Sequence, residues 1–311
     1  MTTRPADVSV TLPVSQALDS VQRVLFRPFD LGKWFVIGFS AWLAHLGEQG
    51  FGGNFNFGSG RGHGGSARRE IERAWEFVVQ NLHWIVPMAI SLFALGVVLW
   101  LVFTWLNSRG KFMFLHCVAL NKADVKEPWN KFAREGNSLF LFRIVLGLIE
   151  TVVTLPFVAA IAVLVIRMIQ HGEPNVGGII AAVGIFFVLI GVWIVFALIR
   201  KLTTDFVVPM MSLRGGSCLK SWREFWDLLT ANAGHFVVYI LFQIVLSIVI
   251  VALTLIVILA TCCVAGCLLA IPYLGTVLLL PVLIFSRSYS LHYLAQYGRD
   301  YDGFPPTSSE L

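Results

Sequence analysis

Charge is scarce in this chain. Asp, Glu, Lys and Arg make up 13% of its 311 residues, whereas soluble domains carry about 25%. Cysteine is sparse as well. The five cysteines, Cys117, Cys218, Cys262, Cys263 and Cys267, do not form a secreted disulfide pattern, and three of them sit in one apolar run. Cys263 and Cys267 share a helix face, and His116 adjoins Cys117, but no third or fourth ligand follows at zinc spacing. Packing accounts better for these small side chains, so neither a metal nor a cofactor is expected. The seven His residues are scattered, and no nucleophile constellation surrounds any of them. The chain is therefore not expected to be an enzyme. No apolar stretch closely follows MTTRPADVSV, so no cleaved signal peptide is expected.

What the chain has in abundance is long apolar runs. Hydrophobic residues make up 57% of it, and the mean hydropathy is +0.77. The pattern predicts an all-α, polytopic membrane domain over residues 1–298. Six spans are expected, at about 31–46, 82–106, 139–169, 176–199, 235–262 and 273–293. The first is short for a hydrocarbon core of about 30 Å. Residues 50–65 (GFGGNFNFGSGRGHGG) form a glycine-rich external loop without a phosphate-loop ending. Residues 67–80 read as a charged helix, 112–120 as a mixed segment, and the tail 299–311 as disordered.

The net charge of +5 reflects sidedness, not nucleic-acid binding. Of the 23 Lys and Arg residues, Arg61, Arg68, Arg69, Arg73 and Arg167 fall on one side of the expected spans, and the rest fall on the other. Positively charged loops stay in the cytoplasm. That places both termini in the cytoplasm of a multi-pass bacterial or archaeal plasma membrane protein.

Three amphipathic helices are expected on that cytoplasmic face, at residues 14–26, 125–134 and 219–229. Each precedes a span after a short break, which gives an internal repeat of helix pairs. Trp129-x-x-Phe132 matches Trp222-x-x-Phe225, with Asn137 and Asn232 following, and Phe112 lines up with Phe206. The run Ser221-Trp222-Arg223-Glu224-Phe225-Trp226 into Asn232-Ala233-Gly234-His235-Phe236 resembles a repeat of several bacterial and archaeal six-span families. Among these is the membrane domain beside some glycerophosphodiester phosphodiesterases. Residues 25–35 (LFRPFDLGKWF) look like the opening of an uncharacterised relative of that group. The phosphodiesterase chemistry sits in a separate soluble domain. No such domain is expected in these residues, so the resemblance implies no activity here.

Three groups of residues stand out as candidates. Arg143 and Glu150 are ionisable groups within a span, two turns apart on one helix face. Such groups cost roughly 2.5–3.5 kcal/mol to insert and mark functional sites by default. The structural alternative has Arg143 snorkelling to the surface and Glu150 neutral or paired internally. Trp129, Phe132, Trp222, Phe225 and Trp226 are candidates for contact with lipid or a protein partner. Gly177, Gly184 and Gly191, spaced by seven, suggest close helix packing. Lys201 and Asp205 form an i, i+4 pair, and Asp205 before Phe206 and Pro209 also suits a hinge.

The expected function is non-enzymatic: organising membrane lipid, or a partner protein, at the cytoplasmic face. The alternative is a small-solute or ion transporter or channel that uses an intramembrane carboxylate.

Overall fold

The computed structural model describes residues 8–47, 80–171, 176–261, 264–269 and 271–304. The expectations for the glycine-rich loop, for residues 67–79, for Cys262 and Cys263, and for the tail beyond residue 304 lie outside the described residues. Within them the chain is helical, and no strand is present.

Helix α1 (Leu12–Leu25) starts after Ser9, whose Oγ accepts from the Thr11 and Leu12 amides at 3.3 Å. Helix α2 (Leu31–His45) is capped by Asp30, whose carboxylate accepts from the Gly32 amide at 2.8 Å. Helix α3 (Leu82–Leu120) runs for 39 residues and closes at Asn121, whose φ of 55° turns the chain out of the helix. A short α4 (Lys126–Lys131) leads into α5 (Ala133–His171).

Helix α6 (Val176–Leu202) continues through a π-helical turn, Thr203–Val207, into α7 (Val208–Arg214). Gly215, at φ 66°, ends it. Ser217 caps α8 (Cys218–Ala231) through Lys220 N at 3.4 Å. Then come α9 (Ala233–Ala260), α10 (Val264–Leu269), α11 (Pro272–Leu278) and α12 (Leu280–Ala295). The last two are bent by 63° at their junction. A 3-10 turn follows at Arg299–Tyr301, and the Phe304 ring stacks on His292 at 4.2 Å.

Burial is concentrated at one end of the molecule. The buried residues of α3 all lie between Asn107 and Val118. They pack with the π-helical turn, α7, the start of α9 and the end of α12. The apolar windows of the long helices are almost wholly uncovered: none of the window is buried in α3 or α5, and 6% in α6–α7 and in α9. In water such exposure would be costly, at about 25 cal/mol per Å². Lipid tails remove that cost, because they are as apolar as the side chains. The arrangement is compatible with a membrane protein.

Two expectations change, and the count of spans is met in part. Among the described residues, four helices are long and apolar enough to cross a membrane, or five if the bent pair α11–α12 counts as one. Helix α2 fails on length: 15 residues reach only about 22 Å at 1.5 Å per residue. The mixed segment 112–120 is the unbroken continuation of α3, its last nine residues. No Pro stops the helix there, and its side chains from Phe112 to Val118 are core. Finally, α1 does not lie with its apolar face free. Ala17, Val21, Val24 and Leu25 are buried, and the helix packs along α12.

Gly110 explains how α2 and α3 come so close. A Cβ there would stand 2.6 Å from the Ala44 nitrogen and the Leu43 carbonyl carbon. Gly184 and Gly191, by contrast, have nothing within 4 Å of a built Cβ. Among the described residues neither meets a neighbouring helix at its Cβ position, so no close approach within the described chain depends on them. All three glycines of that stripe, Gly177 included, are exposed.

Candidate functional site

A cavity of about 970 Å³ opens where the packed end meets the bare helices. Helices α2, α3, α5, α6, the π-helical turn and α12 all contribute to its wall. Among the described residues its wall carries five cations, Lys111, Arg143, Arg200, Lys201 and Arg287. Two carboxylates, Glu150 and Asp205, face them. The balance is strongly positive.

The π-helical turn organises this wall. One extra residue in a helical turn breaks the regular ladder and turns backbone and side chains to new directions. Here the Thr204 carbonyl accepts from Arg287 Nη1 at 2.6 Å, and the Thr204 hydroxyl meets Lys111 Nζ at 2.7 Å. Thr203 Oγ1 accepts from the Trp222 indole at 3.1 Å. Asp205 Oδ2 lies 2.9 Å from Lys201 Nζ and accepts from the Tyr239 hydroxyl at 3.1 Å. Gln243 Nε2 donates to that hydroxyl at 3.2 Å. On the opposite side of the turn, Phe206 is fully buried among Phe225, Phe236, Tyr239 and Tyr293. The turn therefore has an apolar anchor on one face and a polar face toward the cavity.

Arg287 is the most unusual group in the site. It is 6% exposed. Its Nε and Nη2 have no hydrogen-bond partner among the described residues. Leaving a buried charged donor unsatisfied is expensive, above the roughly 1–3 kcal/mol of a neutral group. Arg cannot lose its proton to escape that cost.

The structure brings Arg143 and Glu150 to the same cavity and gives each a partner. Arg143 donates to Asn107, and Glu150 forms an ion pair with Arg200. The aromatic candidates are placed differently from what the sequence suggests. Phe132 and Phe225 are core residues, 9% and 0% exposed. Phe132 stacks on Phe112 at 5.7 Å, and Phe225 stacks on Phe206 at 5.3 Å. Neither presents a surface to lipid or to a partner. Trp222 is half-buried on Phe142. Trp129 is half-buried, edge-on to Trp105 and under the Arg109 guanidinium. Only Trp226, with Leu219 on the same helix, remains exposed.

Sequence reasoning counted Lys111, Arg200 and Arg287 only as flanking charge and missed Thr204, Tyr239 and Gln243. One signal was available: Arg287 lies inside the expected sixth span, where a charge is costly.

Residues 9–296 match the model of a family of unknown function, DUF7544. The chain belongs to that family. No curated protein and no solved structure matches it. Nothing in these comparisons ties this DUF7544 member to the membrane domain of glycerophosphodiester phosphodiesterases. Its site therefore has to be read from its own residues.

Proposed function

We propose that this DUF7544 member is an integral, non-enzymatic membrane protein that binds an anionic ligand in the basic cavity at the packed end of its helices. The observation that carries this reading is Arg287, buried on the cavity wall with two guanidinium nitrogens unpartnered among the described residues. Four further cations against two carboxylates favour an anion over a cation by simple Coulomb attraction. The reading lies closer to a small-solute transporter than to a scaffold, since two of the aromatic side chains that a scaffold would use are spent on the core. A second role at the cytoplasmic face, docking of lipid or a partner, keeps support from exposed Leu219 and Trp226.

In this reading the chain crosses a bacterial or archaeal plasma membrane six times, with both termini in the cytoplasm. The crossings are α3, α5, α6–α7, α9, the bent α11–α12, and the short α2. The charge asymmetry of the connections supports that orientation. An internal repeat is supported by the matched stacking of Phe112 on Phe132 and Phe206 on Phe225. The likeness of residues 221–236 to the phosphodiesterase-associated membrane domains belongs with that repeat.

The test is a thermal-shift titration of the full chain in a non-ionic detergent. Sodium phosphate should raise the melting temperature more than sodium chloride at matched ionic strength. Arg287→Gln should remove the difference. Equal responses to phosphate and chloride in the unaltered protein would overturn the anion reading.

A further inference from the structure

A second cavity, of about 590 Å³, runs along α9. Its wall is apolar for most of its length, with Ile240, Ile244, Ile248, Val251 and Leu255 recurring every three or four residues. From Tyr239 to Leu255 the groove follows about 24 Å of helix. One leaflet of a hydrocarbon core of about 30 Å is about 15 Å deep, so the groove covers the depth of a leaflet. Lys201 lines both this groove and the basic cavity. At the junction, Lys201, Asp205, Tyr239 and Gln243 form one hydrogen-bonded chain. A cationic chamber and an apolar trough therefore adjoin at Lys201, with a short polar chain between them.

We infer that the ligand is an anionic phospholipid, with its phosphate headgroup in the basic cavity and one acyl chain along the α9 groove. This inference rests on the anion reading and narrows its ligand class. Each half of the site takes the matching half of such a molecule. The phosphate supplies acceptor oxygens for the two unpartnered nitrogens of Arg287, in the fork geometry that guanidinium groups favour. The chain is held by apolar contact alone, which selects for length and not for sequence of groups. Zwitterionic lipids are disfavoured, because their ammonium group would enter a chamber that already holds five cations. A soluble phosphate would use the chamber and leave the groove unused.

The test uses the full chain in dodecyl maltoside and follows its melting temperature. The probes are dioleoylphosphatidylglycerol, dioleoylphosphatidylcholine and sodium glycerol phosphate. The phosphatidylglycerol should stabilise at concentrations about tenfold or more below those needed for the phosphatidylcholine, as expected for a charge-assisted contact. Arg287→Gln should abolish that preference. If this variant does not fold, as judged by size-exclusion chromatography, Lys201→Gln is read in its place, since Lys201 is half exposed. Ala252→Trp, which fills the groove, should weaken phosphatidylglycerol and leave the response to glycerol phosphate unchanged. Two results overturn the lipid inference while the anion reading stands: equal stabilisation by the two lipids with a retained glycerol phosphate response, or full phosphatidylglycerol preference in Ala252→Trp. Loss of response to every anionic probe in the unaltered chain overturns both.

Discussion

Phe225 and Trp226 are neighbours on α8, and their substitution separates a core role from a surface role. The Phe225 side chain is 0% exposed, with ring centroids of Phe206, Phe236 and Trp222 at 5.3, 5.5 and 5.6 Å. Truncation of a buried Phe to Ala costs about 3–5 kcal/mol, because the burial is lost and a cavity is left. Part of this is the aromatic pairing, about 0.5–1.5 kcal/mol for each contact. Trp226 is 56% exposed, and its removal should change stability by no more than about 0.5 kcal/mol. Thermal unfolding of the detergent-solubilised chain, followed by size-exclusion recovery after heating, reads both variants. At about 2 °C per kcal/mol, the lower end of the range for larger domains, Phe225→Ala should lose at least about 6 °C. Trp226→Ala should lose about 1 °C. The ranking matters more than either value. If Trp226→Ala melts below Phe225→Ala, the buried placement of Phe225 is wrong and α8 lies on the membrane with both rings outward.

Glycine substitutions should divide along the same line. Gly110→Ala should destabilise by about 1–3 kcal/mol in the same melts, because backbone atoms of Leu43 and Ala44 occupy the space and cannot rotate away. Gly184→Ala and Gly191→Ala should be neutral or stabilising by up to about 1 kcal/mol each, through helix propensity; marked destabilisation would mean that this stripe packs on something. Tyr239→Phe should cost about 1–3 kcal/mol, since it takes from buried Asp205 one of its two partners; an unchanged melt would remove Tyr239 from the site. Cys218 is 1% exposed, and burial pushes its thiol from an ordinary 9.0 up to about 12. Only the thiolate is nucleophilic, so iodoacetamide at pH 8 should label Cys218 in unfolded but not native protein, read by peptide mass spectrometry. The stability gained by keeping that thiol protonated is complete below about pH 9 and is lost as pH rises toward 12.

The helices themselves were legible because their signals are local. Apolar runs and amphipathic spacing act within a few residues, whereas the stop at Asn121 was not read: the second span was expected to end at 106, and α3 runs on to Leu120. The amphipathic spacing of 14–26 and 219–229 predicted α1 and α8. What those apolar faces touch was not legible. Hydrophobic spacing shows that a face must leave water, and both lipid and protein satisfy it. Phe225 and Trp226 have the same local pattern and opposite fates, decided by whether Phe206 stands opposite.

The site divides in the same way. Sequence alone determined that Arg143 and Glu150 lie within an apolar run, where charge is costly. It also determined that Lys201 and Asp205 share a helix face, a relation set by helical geometry over four residues. Only the tertiary structure decided that Lys111, Arg200, Lys201 and Arg287 line one chamber with them, since these residues stand up to 176 positions apart in the chain. The π-helical turn at Thr203–Val207 is likewise a tertiary result. Its cost in regular hydrogen bonding is offset by burying Phe206 on one side and meeting Arg287 and Lys111 on the other. No residue type within the turn announces partners that far away in sequence.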